Sequence, residues 1–273
     1  MSESSAVVSS PDLVRTLRAA GCVFAEDEAD LLIAAAGPTE LAGMVQRRVD
    51  GEPLEYILGW AEFCGLRIGV GPGIFVPRRR TEYLVELAVG LVRADDRGAC
   101  VTVLDMCCGT GAIGIAVATA LASSHRVELH ACDVDIAAVH CARRNIGDAG
   151  HTYLGDLFAP LPAGLRGRVD ILTANVPYVP SAAISLMPPE ARLYESRDAL
   201  DGGPDGLAVL RRLSAAAAGW LRPGGHLLVE TGELQAPFAI ETFVRDGLSA
   251  GTLRSAAIGA TVIVGTRPLA GAR

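Results

Sequence analysis

Apolar residues in the first fifty positions recur at helical spacing, and glycine or proline cuts them into three stretches. The first covers 11–20, with Ser9-Ser10 as a candidate cap, and ends at Gly21. The second, 26–36, opens with acids and stops at Gly37-Pro38, and the third runs from a Thr39 cap to about 49, before Asp50-Gly51. Between 54 and 76 the pattern changes. Gly59, Gly65, Gly69, Gly71 and Gly73 punctuate short apolar runs, which predicts a β-hairpin or extended connector. Helical periodicity returns over 81–93. From Val101 onward, runs that read as strands (101–105, 127–132, 152–154, 169–174, 225–231 and 261–266) alternate with helical stretches (112–122, 135–147, 205–220 and 235–247). This alternation predicts an α/β domain with a parallel sheet covered on both faces. A further strand near 252–257 would make the ending antiparallel. The expected organisation is a helical unit over 1–53, a hairpin connector over 54–76 and the α/β domain over 77–273.

Composition narrows the class. The chain has 273 residues, half of them apolar, enough for a sizeable core. A helical unit of about 50 residues is too small to stand without packing elsewhere. No apolar run approaches the roughly 18–20 residues of a membrane span, and residues 1–5 lack the basic start and apolar stretch of a signal peptide, so the cytoplasm is expected. Net charge is −7, which disfavours general nucleic-acid binding. Lysine is absent, so all the Lys/Arg charge is arginine, and Arg78-Arg79-Arg80 is the one basic triplet, with a solvated face as its plain reading. Cys22, Cys64, Cys100, Cys107, Cys108, Cys132 and Cys141 form no C-x-x-C pair and no ligand spacing with histidine, so they read as reduced thiols, with no metal site.

Chemistry concentrates after the predicted strands. The first strand of the α/β domain ends at Asp105 and runs into Met106-Cys107-Cys108-Gly109-Thr110-Gly111-Ala112, a loop where glycines allow close approach of a ligand. The second strand ends at Asp133, where ribose hydroxyls of a bound nucleoside would lie. Gly109-Thr110-Gly111-Ala112-Ile113-Gly114 matches the dinucleotide fingerprint G-x-G-x-x-G, which fits a nicotinamide cofactor. S-adenosylmethionine fits the same ribose acid. Its other half carries an ammonium, which a carboxylate such as Asp105 turned into the loop would attract while repelling a pyrophosphate. Asp156, with Leu157 and Phe158, ends a third strand where adenine would sit.

The fourth strand closes on Asn175-Val176-Pro177-Tyr178, on the sheet edge that carries the glycine loop. The Asn175 side-chain oxygen and the Val176 carbonyl are positioned to accept the two N–H bonds of a planar NH2 group, with Tyr178 stacked on its plane. Such a nitrogen is a weak nucleophile, and its reaction depends on being held about 3–3.5 Å from the electrophile. A methyltransferase acting on a planar nitrogen has use for this tetrapeptide; a hydride-transfer enzyme has none. An amino-methyltransferase acting on adenine in DNA or RNA also fits, but would need a basic channel and a means of exposing the base. A non-catalytic protein that kept the fold is the remaining alternative.

Several segments together resemble the release-factor glutamine N5-methyltransferase family: Gly51-Glu52-Pro53-Leu54-Glu55-Tyr56-Ile57-Leu58-Gly59, residues 75–82, residues 105–112, Asp133, Asp156-Leu157-Phe158, Asn175 to Tyr178, and Ala199-Leu200-Asp201-Gly202-Gly203-Pro204-Asp205-Gly206-Leu207. The resemblance implies a Rossmann-like, class I S-adenosylmethionine-dependent methyltransferase domain with a small helical N-terminal domain that helps recognise a protein substrate. It implies that Asn175 and Val176 hold the side-chain amide of a glutamine in a Gly-Gly-Gln loop of a peptide-chain release factor, with Pro177 and Tyr178 completing the grip. The cofactor would contact Asp105, Cys107, Cys108, Gly109, Thr110, Gly111, Asp133, Asp156, Leu157 and Asn175. The chain departs from the family pattern at Val176 (usually proline), Cys107-Cys108 (usually Gly-Thr), Arg79 (usually proline) and Ser196 (usually proline), which marks a divergent branch.

Overall fold

The computed structural model describes residues 10–37, 39–95 and 98–269. Residues 1–5, the cap candidate Ser9, and Pro38 lie outside the described residues. Helices α1 (Ser10–Ala19), α2 (Ala25–Ala35) and α3 (Leu41–Val49) form where the apolar spacing predicts them. Leu13 and Leu17, one helical turn apart, pack with Ala25, Ala29 and Leu32 in one fully buried cluster. Glu26, Asp27 and Glu28 occupy the first turn of α2, where negative charge suits the helix dipole. Thr39 does not cap α3; Glu40 holds that position without a side-chain bond. Arg48, buried on α3, ties the helices together through Glu28 at 2.6 Å.

The connector differs from its expected wholly extended form. It opens with a short helix, α4 (Leu54–Leu58), which begins after Pro53 and stops at Gly59 in the left-handed region, whose N–H reaches the Glu55 carbonyl at 2.8 Å. Five residues are too few to show a helical period, so only the flanking proline and glycine mark it. The hairpin follows: β1 (Trp60–Phe63) pairs antiparallel with β2 (Leu66–Gly69). Its two-residue turn, Cys64-Gly65, has φ of 50° and 73°, the positive pair that a tight hairpin turn of this length demands.

The α/β part begins with α5 (Glu82–Arg93), then β3 (Cys100–Met106), α6 (Ala112–Leu121), β4 (Arg126–Asp133), α7 (Ile136–Ile146), β5 (Gly150–Leu154) and β6 (Val169–Ala174). After β6 come α8 (Pro189–Tyr194), α9 (Ala208–Trp220), β7 (Leu221–Glu230), α10 (Ala236–Arg245), β8 (Ser249–Ser255) and β9 (Ala260–Thr266). The seven strands lie in the order β5-β4-β3-β6-β7-β9-β8. Strands β3 to β7 pair in parallel and β9 and β8 close the sheet antiparallel, as the paired runs near the end predict. Val101 to Met106 of β3 are buried without alternation, the mark of a strand covered on both faces. One face carries a core from α5 and α6, including Leu84, Ala88, Ile113 and Val117. The other carries Leu210, Leu213, Trp220 and Phe243 from α9 and α10. The architecture is Rossmann-like. Among the described residues no helix is long and apolar enough to cross a membrane.

Candidate active site

Strand β3 has β4 on one side and β6 on the other, so the chain order reverses at its carboxyl end. Open parallel sheets bind ligands in the crevice at such a point. A cavity of about 580 Å³ opens there, bounded by the loop after β3, Asp133 at the end of β4, the turn after β5 and the tetrapeptide after β6.

On the cofactor side, Cys107, Gly109 and Gly111 all hold positive φ, at 54°, 54° and 76°. Leu157, across the cavity, does the same at 47°. Cys107 and Leu157 lack glycine's freedom, so each conformation costs on the order of 1 kcal/mol and is held by its surroundings. The Gly109 N–H donates to Asp133 Oδ2 at 2.8 Å, and the Asp135 N–H donates to Oδ1 at 3.0 Å. The candidate ribose acid is therefore fixed against the loop. Burial pushes its pKa up, and the two N–H donors pull it back. Burial also raises the Cys107 and Cys108 thiols well above their usual value, so both stay protonated rather than reactive.

Eight of the expected cofactor residues border the cavity: Cys107, Cys108, Gly109, Thr110, Asp133, Asp156, Leu157 and Asn175. Two do not. Gly111 starts α6, where a Cβ would lie 3.0 Å from Ile146. Asp105 is fully buried beneath the loop rather than turned into it. Its Oδ2 accepts the Gly114 N–H at 2.9 Å and its Oδ1 the Thr173 hydroxyl at 3.1 Å. Thr173 stands opposite Asp105 in the β3–β6 register, which is why the carboxylate turns sideways. The electrostatic choice between cofactors expected of Asp105 thus has no basis in its placement. Gly114, last of the six-residue fingerprint, is explained by the same contact: a Cβ there would sit 3.0 Å from Asp105 Cβ and 2.9 Å from Leu129.

Each arginine bordering the cavity is ion-paired: Arg78 with Glu195, Arg80 with Glu230 and Arg212 with Asp156. The fixed Asp133, with the apolar Leu157 wall, suits an adenosine, which both candidate cofactors carry.

On the acceptor side, Asn175, Val176, Pro177 and Tyr178 all border the cavity. Val176, where a proline was expected, is 1% exposed and part of the core. The segment 199–206 forms the back wall of the tetrapeptide. The Val179 N–H donates to the Leu200 carbonyl at 3.0 Å, and the Gly202 N–H to the Val179 carbonyl at 2.9 Å. A Cβ on Gly202 would lie 2.6 Å from the Pro177 carbonyl oxygen, and one on Gly206 would lie 2.2 Å from that of Tyr178. That closeness accounts for glycine at both positions. Gln235 Nε2 also donates to the Tyr178 carbonyl, at 2.9 Å.

Three groups at the site escaped the sequence reading: Arg80, Glu230 and Gln235. The basic triplet is not a uniform solvated face. Arg78 reaches the buried Glu195, and Arg80, although exposed like Arg79, reaches the buried Glu230. Glu230 had a signal, since it is an acid within one residue of the end of the predicted strand 225–231, much as Asp105 and Asp133 stand at the ends of theirs.

Comparison with known proteins supplies the family. Residues 90–206 match the methyltransferase small domain. The chain is 41% identical over 213 residues to the release factor glutamine methyltransferase of Geobacter sulfurreducens, an alignment covering 77% of this chain and 72% of that protein. It is 33% identical over 224 residues to the 4-amino-L-phenylalanine/4-methylamino-L-phenylalanine methyltransferase of Streptomyces pristinaespiralis, covering 81% and 75% respectively. A methyltransferase from Pyrococcus furiosus shares the fold, with a TM-score of 0.52, 17% identity and coverage of 75% of this chain and 90% of that one. The identity to the Geobacter sulfurreducens protein, over more than two thirds of both sequences, places this chain in the release factor glutamine methyltransferase family of S-adenosylmethionine-dependent enzymes.

Proposed function

We propose that this protein methylates the side-chain amide nitrogen of a glutamine in a peptide-chain release factor, acting in the cytoplasm where such factors work. The observation that carries the reading is the placement of Asn175-Val176-Pro177-Tyr178 on the cavity wall, beside the loop that Asp133 fixes. S-adenosylmethionine, when bound, supplies an electrophilic methyl group on a sulfonium. Asp133 would hold the ribose hydroxyls, and Leu157 and the Asp156 turn would flank the base. The Asn175 side-chain oxygen and the Val176 carbonyl would accept the two amide N–H bonds. Those bonds orient the nitrogen and favour the positive charge that develops on it. Tyr178 packs on the amide plane. Its phenol is pushed up to about 12, first by burial and then by Glu230, so it stays neutral and serves as a surface rather than a base.

The division into a recognition unit over 1–53, a connector over 54–76 and a catalytic domain over 77–273 belongs to the same proposal. The separate apolar cluster of α1 and α2 supports it. Ile57 of α4 joins that cluster, and Arg48 links it to the catalytic domain through Glu190 of α8 at 2.6 Å.

Labelled S-adenosylmethionine incubated with a release factor, followed by peptide mapping, tests the reading. Label is expected on the glutamine of the Gly-Gly-Gln peptide. Asn175→Ala should slow transfer about 10²-fold, the scale of a misplaced reactant, while cofactor affinity stays near that of the wild type. Transfer to 4-aminophenylalanine or to an adenine, with none to glutamine, would move the reading to another acceptor.

A further inference from the structure

Tyr178 is fastened at both ends by residues from other elements. Gln235 holds its carbonyl. At the far end, the phenol donates to Glu230 Oε1 at 3.3 Å and accepts a hydrogen bond from Arg80 Nη2. Arg80 Nε donates to that same Glu230 oxygen at 2.9 Å, closing a triangle around it. The Glu230 side chain is 3% exposed, and its Oε2 is buried with no hydrogen-bond partner among the described residues. A carboxylate so withdrawn from water has little to offer solvent or a surface partner, and its contacts converge on Tyr178.

The sheet explains the convergence. Strands β6 and β7 are parallel neighbours, with Ala174 opposite Val229, so the residues after β6 and the end of β7 share one edge. Arg80 enters from the short turn Arg79–Thr81 that leads into α5. Pro177 fixes its own φ and keeps Val176 extended, so the backbone here is largely set while the Tyr178 side chain is not. An aromatic ring has two side-chain torsions of its own, and a stack on an amide plane needs both of them set.

We propose that Arg80 and Glu230 are positioning residues for methyl transfer, holding the Tyr178 ring at the angle that aligns the acceptor amide. The proposal rests on the glutamine-amide reading above. Neither residue touches the reacting atoms; both act through the phenol oxygen.

Rates at saturating S-adenosylmethionine and release factor are to be compared for the wild type, Tyr178→Phe, Arg80→Ala, Arg80→Lys, Glu230→Gln and the Arg80→Ala/Tyr178→Phe double variant. Tyr178→Phe removes one oxygen and leaves the Arg80–Glu230 pair intact, so it keeps the test valid even where Arg80→Ala folds poorly. The expected result is a fall in kcat of about tenfold for Tyr178→Phe and for Arg80→Ala, with KM for the protein substrate and cofactor affinity within about twofold of wild type. The double variant should be no slower than the slower single one, because both remove the same restraint. Arg80→Lys, which keeps one donor, should recover part of the rate, and Glu230→Gln should lose less than Arg80→Ala. Tyr178→Phe turning over within twofold of wild type would overturn the proposal, as would losses that multiply in the double variant. Wild-type enzyme that labels no glutamine would instead sink the function reading, and this proposal with it.

Discussion

Asp105 and Asp133 end neighbouring strands, and in the sequence they look alike. In the structure one carboxylate lies under the glycine loop, bonded to Gly114 and Thr173, and the other lies in the cavity wall, bonded to Gly109 and Asp135. Which way a strand-ending acid turns depends on what stands opposite it. For Asp105 that is Thr173, on a strand whose pairing no local pattern discloses. Burial pushes the Asp105 pKa up to about 7, with the Gly114 and Thr173 donors pulling the other way. The folded protein therefore binds this proton more tightly than the unfolded chain, whose carboxyl titrates near 3.8. The stability it contributes is fully present below pH 4 and is lost as pH rises through about 7. Asp105→Asn should remove that loss. Denaturant unfolding at pH 5 and pH 8 should show the wild type losing on the order of 2–3 kcal/mol more between the two than the variant.

Element by element, what could be read from the chain depended on length. The strands and helices of the α/β part lie within a few residues of their predicted bounds, because most are long enough to show their period. Helices α4 and α8, of five and six residues, were missed because neither completes two turns. The turn at Ser181–Leu186 was missed for the same reason. The segment 199–206 was visible as a motif but its task was not: its glycines are required by carbonyls of the tetrapeptide some 25 residues upstream, and the approach exists only in three dimensions. Gly206 shows how tight it is. At φ 74° a Cβ is strained by about 1–2 kcal/mol before any contact is counted, and it would collide with the Tyr178 carbonyl and Gln235. Gly206→Ala should displace the tetrapeptide and cut methyl transfer at least tenfold, while circular dichroism shows the sheet and helices unchanged.

At the scale of the whole molecule, the helical unit and α8 share one cation. Arg48 is 8% exposed and lies between Glu28 of α2 and Glu190 of α8, the short helix on the chain between the tetrapeptide and its back wall. Removing one partner of a buried ion pair leaves the remaining charge uncompensated, at a cost of about 3 kcal/mol. Arg48→Ala should therefore raise hydrogen exchange in α1, α2 and α3 and in α8 together, and leave β3 to β7 protected. Exchange confined to the N-terminal helices would show that the bond to Glu190 carries no linkage.

The many-sided fastening of the tetrapeptide has a thermodynamic side. Backbone bonds with Leu200 and Gly202 hold Val179, the Gln235 amide and the Arg80–Glu230 pair hold Tyr178, and burial holds Val176. A wall restrained in this way has little conformational entropy left to lose when an acceptor arrives. The entropy of association then falls almost wholly on the incoming loop. Affinity should then depend on how ordered that loop already is, with a lower KM expected for an acceptor on a folded protein than for the same residues in a free peptide.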